Sequence, residues 1–195
     1  MNNPVRTFIA LELNADLHKT IAGIQNDLKK IDCDVKWVNP AIAHLTLKFL
    51  GDVAQKKMDA VKHTFENSLR NFHSFEIEVT QIGAFPRIES PQILWVGLGG
   101  NTNMIVEMVG VLEEEFAKLG FAKEKRDFQP HLTLGRMKSR KNSAALTSIL
   151  QNYSTPQGIR QSIDQVTLFK STLTSHGPTY EPLSIVPLKA GSGSV

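Results

Sequence analysis

Residues 44–50 read HLTLKFL and residues 131–136 read HLTLGR, so the same four letters recur nearly half a chain apart. Side chains on a strand alternate between its two faces with a period of two. In each copy the leucines (Leu45 and Leu47; Leu132 and Leu134) then point one way, into a core. His44 with Thr46, and His131 with Thr133, point the other way. One partly exposed histidine on a strand is ordinary. Two imidazoles and two hydroxyls on matching open faces are poorly explained by packing, and two such faces brought together would surround one cleft.

Working outward, residues 5–13 (VRTFIALEL) read as a strand, and Asn14 offers a helix N-cap. Leu17, Ile21, Ile24, Leu28 and Ile31 follow at helical spacing, which predicts a helix over 15–31. VKWV (35–38) and 44–50 are short strands, and a second helix is expected over about 55–72. SFEIEVTQI (74–82) and ILWVGL (93–98) are strand-like, with GAFPRIESPQ between them read as a Gly/Pro loop. A third helix is expected over about 103–119, with Met104, Met108, Val111, Phe116 and Leu119 on its buried side and Gly120 as its stop. Residues 131–136, 163–173 and 181–188 complete the strands, and 142–152 is helix-like. Several strands follow one another across short turns. That mixture predicts an α+β protein of antiparallel sheets with helices packed on them.

With 195 residues, 41% of them hydrophobic and 21% charged, the chain has the material for one well-packed domain. The net charge of +3 permits a polyanionic partner without demanding one. Cys33 has no second cysteine to pair with, which fits a reducing compartment. Neither a secretory leader nor an apolar run of membrane-spanning length is visible, so the expectation is a cytoplasmic protein with no membrane attachment. Residues 1–189 read as a single domain, and 190–195 (AGSGSV) as a flexible tail. No heptad or interface stripe appears, so a monomer with no obligate protein partner is expected.

Imidazole has an unperturbed pKa of about 6.5, so it can be acid or base near neutrality. A pair can hold one neutral and one protonated ring. That division suits in-line displacement at phosphorus, with one ring deprotonating the nucleophile and the other protonating the departing oxygen. The threonine hydroxyls can donate to the non-bridging oxygens, where negative charge accumulates. Zinc is the rival reading. The chain has no HExxH and no CxxC, and His18, His63, His73 and His176 lack a second ligand at a familiar spacing, so no metal and no cofactor are expected.

WVNPAIAHLTLKFLGDV (37–53) together with FQPHLTLGR (128–136) resembles the RNA 2′,3′-cyclic phosphodiesterases, formerly called 2′-5′ RNA ligases, of the two-histidine (2H) phosphoesterase superfamily. TFIALEL near the start, GAFPRIESPQILWVGL (83–98) and LFKSTLTSHGPTYEPL (168–183) resemble further family segments in the family order. The resemblance implies a bilobal fold, each lobe an antiparallel sheet backed by helices, with the active-site cleft between them. It implies His44 and His131 as the catalytic pair, Thr46 and Thr133 as phosphate donors, and Arg136 as a further phosphate or backbone ligand. Phe49 takes the aromatic position after the first motif, as a base contact or a packing residue. The implied reaction is metal-independent hydrolysis of an RNA or nucleoside 2′,3′-cyclic phosphate to a 2′-phosphomonoester. The resemblance also implies reversible joining of RNA ends through a 2′-5′ linkage. By analogy His44 would protonate O3′ and His131 would activate water, although the residues themselves are equally compatible with the reverse. A non-catalytic RNA- or nucleotide-binding domain of the same fold is the alternative.

The basic runs KEKR (123–126) and RMKSRKN (136–142) flank the second motif and would attract an RNA backbone in a salt-sensitive way. Trp37 and Trp95 are expected in the core rather than stacked on bases. His18 and His63 read as surface residues and Cys33 as structural. His176, in a Gly-Pro turn near Tyr180, is a candidate for the cleft rim.

Overall fold

The structure is a computed structural model that describes residues 3–175 and 177–191. Strand β1 (Val5–Glu12) leads into helix α1 (Ala15–Lys29), whose N-cap Asn14 accepts the Leu17 N–H at 2.9 Å. Strand β2 (Val35–Trp37) and a 3-10 turn (Pro40–Ile42) precede β3 (His44–Val53) and α2 (Met58–Leu69). Next come β4 (Phe75–Arg87), β5 (Ser90–Gly100) and α3 (Thr102–Lys118). The chain closes with β6 (His131–Met137), α4 (Ser143–Asn152), β7 (Arg160–Ile163), β8 (Gln165–Thr174) and β9 (Gly177–Pro187).

Two antiparallel sheets result, one in the order β3-β1-β8-β9 and one in the order β2-β6-β5-β4-β7. This is the expected α+β architecture. Neither sheet is a continuous stretch of chain, because the backbone crosses between them several times, and each receives one HLTL strand. The helices turn apolar stripes inward, with Leu17, Ile21, Ile24 and Leu28 on α1 and Met58, Val61, Phe65 and Leu69 on α2. These join Leu11 and Leu45 of one sheet and Leu94 and Leu132 of the other in one continuous core. Among the described residues no helix is long and apolar enough to cross a membrane.

Three expectations differ from the structure. Residues 83–92 are not a loop: β4 and β5 run through them as a hairpin closed by a two-residue turn at Ile88 and Glu89. Pro86 and Pro91 are tolerated there because they face each other beside a register irregularity. The far edge of β4 is also uncovered at this end, since β7 pairs only with Phe75–Glu78, so no strand on that side calls for a Pro86 N–H. The strand expected over 163–173 breaks at Asp164 into β7 and β8, which serve different sheets. Helix α3 buries Ile105, Met108, Val109, Leu112 and Phe116, leaving Met104, Val111 and Leu119 half-buried at its flank. The tail expected over 190–195 falls, from residue 192 on, outside the described residues.

Both motif strands carry a β-bulge at the same place. Ile9 faces Lys48 and Ala10 faces Thr46, which leaves Leu47 as the extra residue of β3. Leu94 faces Gly135 and Trp95 faces Thr133, which leaves Leu134 as the extra residue of β6. An extra residue shifts the alternation by one. Leu47 and Lys48 are therefore both buried and Phe49 is exposed; Leu134 and Gly135 are both buried and Arg136 is exposed. Phe49 and Arg136 thus occupy equivalent positions, five residues past each histidine and on the histidine face.

Candidate active site

His44 heads β3 opposite Glu12 of β1. Its Nδ1 lies 3.0 Å from the Ile42 carbonyl oxygen, which can only accept, so the ring donates through Nδ1–H and leaves Nε2 for chemistry. The ring stacks on Phe8, with centroids 4.8 Å apart, and meets Tyr180 edge-on at 5.1 Å. Phe8, Ala10 and Phe169 form a small apolar cluster on this face, with Tyr180 packed against it. Burial pushes the His44 pKa down, outweighing the Ile42 hydrogen bond and the Glu12 carboxylate, which both act to raise it. Burial likewise pushes the Tyr180 phenol up. Glu12 is held in place by Thr167 Oγ1, which donates to its carboxylate at 2.8 Å.

His131 heads β6 and repeats the device, its Nδ1–H donating to the Gln129 carbonyl at 2.6 Å. Its neighbours differ. Phe85 meets the ring edge-on at 5.0 Å, and Trp95 stands 6.5 Å away. Trp95 pairs with Thr133 across β5 and β6, and its indole lies over Gly83, where a Cβ would overlap the ring. Gly97, directly opposite His131, is also blocked to a side chain by Thr80 Oγ1 at 2.8 Å. Two glycines therefore let a tryptophan lie flat on the sheet beside the histidine. The indole Nε1–H is buried without a hydrogen-bond partner among the described residues.

Thr46 and Thr133 are half-buried on the histidine faces, and neither hydroxyl has a partner among the described residues. Phe49 is 52% exposed, with the Arg6 guanidinium 4.6 Å above its ring, so it is not a core residue. Strands β3 and β6 are in contact across the two sheets. Thr46 and Phe49 open onto a cavity of about 920 Å³, and His131 and Arg136 onto another of about 860 Å³. The segment from Glu124 to Phe128 lines both. His44 lines neither, being covered by Phe8 and Tyr180.

Two buried polar groups hold this arrangement. Lys48, turned inward by the bulge, donates to Glu113 Oε2 at 2.6 Å and to the Ala122 carbonyl at 3.3 Å. Glu113 in turn accepts the Glu124 N–H at 3.1 Å, tying the segment between the cavities to α3. Gln25 of α1, fully buried, donates from Nε2 to the Val38 carbonyl at 2.8 Å and the Leu134 carbonyl at 2.9 Å. Leu134 is the bulge residue of β6, and its carbonyl also accepts the Val38 N–H at 3.0 Å. The bulge that turns Arg136 outward is thereby hydrogen-bonded from a helix more than a hundred residues away in the chain.

The remaining candidates separate. His18 meets the carbonyl of Ala43, the residue before His44, at 3.2 Å, and His63 meets Asn67 one turn along α2 at 2.8 Å. His176 lies outside the described residues. Cys33 is half-buried, with its thiol 3.6 Å from the Asn142 carbonyl. Trp37 is half-buried under Lys29. Among the described residues no group of three or more His, Cys, Asp or Glu side chains could hold a metal ion. Sequence reasoning missed Phe8, Glu12, Gln25 and Phe85, and it placed Trp95 in the core. Phe85 lies in a quoted segment, but only tertiary contact reveals that it touches a histidine.

Comparison with known proteins identifies the family and the fold. The 2′-5′ RNA ligase superfamily profile matches residues 14–173. The chain is 34% identical to the RNA 2′,3′-cyclic phosphodiesterase of Methanothermobacter thermautotrophicus, over 94% of this chain and 99% of that protein. It is 32% identical to the RNA 2′,3′-cyclic phosphodiesterase of Thermotoga maritima, over 92% of this chain and 93% of that one. Among solved structures, Escherichia coli LigT complexed with 3′-AMP has the same fold, with a TM-score of 0.77, 22% identity and coverage of 95% of this chain and 98% of that one.

Proposed function

The chain belongs to the 2′-5′ RNA ligase superfamily and to the RNA 2′,3′-cyclic phosphodiesterases within it, and from that premise we propose that it opens the 2′,3′-cyclic phosphate of an RNA or nucleotide end to a 2′-phosphomonoester by paired histidine catalysis, without a metal. The observation that carries the reading is the matched pair of motif strands. Each presents an imidazole with Nδ1–H committed to a carbonyl two residues back, a free hydroxyl two residues on, and an exposed side chain five residues on. Both strands belong to one chain and touch, so residues 1–189 act as one bilobal unit and a monomer suffices.

In the forward reaction His131 Nε2 takes a proton from water, the water oxygen bonds to phosphorus, and the P–O3′ bond breaks. His44 Nε2–H gives its proton to O3′. Thr46, Thr133 and Arg136 hold the non-bridging oxygens, the guanidinium through its fork. The ring strain of the five-membered cyclic phosphate favours departure of O3′ without a Lewis acid. Burial favours neutral His44 in the free protein; the incoming phosphate anion, with Glu12, supplies the field that charges it. With an RNA 5′-hydroxyl in place of water, the same steps bond the 5′-oxygen to phosphorus as P–O3′ breaks, which joins the two ends through a 2′-5′ linkage.

The test is turnover of a nucleoside 2′,3′-cyclic phosphate in excess EDTA. The expected result is a 2′-phosphate product, lost in His44→Ala and in His131→Ala. Tight binding of the cyclic nucleotide without turnover overturns catalysis, and turnover abolished by EDTA overturns metal independence. The division of roles has its own readout. With an aryl phosphodiester, whose leaving group needs no proton, His44→Ala retains more activity than His131→Ala; the opposite order reverses the assignment.

A further inference from the structure

A third cavity, of about 490 Å³, opens where β6 ends, and Arg87, Lys138 and Arg140 line it together with Ser90, Gln92 and Ser139. Arg87 comes from the β4–β5 hairpin, and Lys138 and Arg140 from the segment that leaves β6. Gln92 also lines the cavity that holds His131 and Arg136, so the two spaces adjoin. The chain segment is well held, for the Lys138 N–H donates to the Asp34 carbonyl at 2.8 Å and the Arg140 carbonyl accepts the Ser143 N–H at 3.2 Å.

The state of the cations distinguishes this hollow from the other space beside the site. Among the described residues, none of Arg87, Arg136, Lys138 and Arg140 takes part in an ion pair. Glu89 also lines the hollow but is bonded to none of them. The cavity of Thr46 and Phe49 is the reverse case. There Lys48 is paired with Glu113, Lys123 with Glu114 and Arg126 with Glu124, and Lys125, in no ion pair among the described residues, is offset by the Asp127 carboxylate on the same lining. A polyanion leaving the His131 cavity meets unpaired positive charge in one direction and neutralised charge in the other.

We propose that the Arg87–Lys138–Arg140 hollow is a phosphodiester subsite for the RNA chain that precedes the cyclic phosphate. The inference rests on the proposed hydrolysis of cyclic phosphate ends and names its substrate class. The natural substrate is an oligoribonucleotide whose terminal phosphate sits by the histidines and whose backbone runs past Gln92 into the hollow. A mononucleoside cyclic phosphate fills the reactive part of the site and leaves the hollow empty. Guanidinium groups suit such a path because they hold phosphate by a planar fork without reading sequence.

The experiment compares a single-stranded oligoribonucleotide ending in a 2′,3′-cyclic phosphate with the matching nucleoside 2′,3′-cyclic phosphate. The variant is Arg87→Gln, Lys138→Gln and Arg140→Gln combined; all three side chains are exposed, so the fold is retained. A control of equal charge loss combines Lys19→Gln, Lys62→Gln and Arg70→Gln on α1, α2 and the end of α2. For the oligonucleotide, the subsite variant loses kcat/KM on the order of tenfold and its salt dependence becomes shallower by about one to two log units per decade of salt, as expected for lost phosphate contacts. For the nucleoside cyclic phosphate it matches the wild type, and the control variant matches the wild type on both. Equal losses on the two substrates, or no loss on the oligonucleotide, overturn the subsite alone. A wild-type protein that turns over neither substrate overturns the proposed hydrolysis and the subsite with it.

Discussion

Strands β3 and β6 share four letters, a bulge after the threonine and a carbonyl lock on the histidine, yet they set their rings in different surroundings. His44 stacks on Phe8 and meets Tyr180 edge-on, and its pKa is pushed down by burial. His131 touches Phe85 at one edge and opens onto a cavity with Arg136. The fifth residue after each histidine also differs, an aromatic ring on one strand and a guanidinium on the other. The local frame is duplicated, and the chemistry is divided by what packs against it.

The strongest way to break this comparison is to remove the rings. His44→Ala and His131→Ala are each expected to lower kcat by about 10²- to 10⁴-fold. The double variant should be little worse than either single one, because the two act as a unit. Rapid-quench or product-release assays on one substrate read both numbers; additive losses would mean that the strands work independently.

The fifth positions test whether equivalent places carry different roles. Arg136→Ala should cost about 10- to 100-fold in kcat/KM through lost charge-assisted hydrogen bonds to phosphate, with only partial rescue in Arg136→Lys. Phe49→Ala should cost about fivefold, the low end of base stacking, and should appear in KM. If Phe49→Ala lowers kcat more than Arg136→Ala does, the assignment of the phosphate contact to Arg136 is wrong.

The third prediction concerns the support of the β6 bulge. Gln25→Leu removes the N–H donor to the Val38 carbonyl, while the Leu134 carbonyl keeps the Val38 N–H, and should cost about 1 kcal/mol of stability, the net worth of a lost hydrogen bond. Denaturant unfolding measures it. The same variant should raise KM, since the bulge that aims Arg136 is loosened, whereas a variant in the α2 stripe of equal instability should not.

The smallest effect is in pH. An unfolded histidine protonates near 6.5, and buried His44 protonates only at lower pH. Between those values the unfolded state binds more protons, so stability rises with pH. The contribution is complete above about 6.5 and is lost as pH falls toward the folded value. His44→Gln should flatten the dependence of unfolding free energy on pH in that window, read from denaturant unfolding at a series of pH values.

The α+β class, most element positions and the two motif strands were legible because they depend on local periodicity: alternation in HLTL, helical spacing in Leu17 to Leu28, the cap at Asn14. His44, Thr46, His131 and Thr133 were singled out for the same reason, since chemistry and spacing are both written along one dimension, whereas Arg136 was singled out only by the resemblance to a known family. The bulges were not, because an extra residue in a strand is defined only against its neighbour's register, and they decide that Lys48 is buried while Phe49 and Arg136 emerge. The GAFPRIESPQ hairpin was hidden likewise, because proline fits a strand only where the ladder does not need its N–H, and that depends on which neighbouring strands reach so far. The unequal histidines belong wholly to tertiary structure. Local chain sets the Nδ1 lock, which reaches back two residues, but burial by Phe8, Tyr180 and Phe85 requires segments that meet only when the sheets have formed.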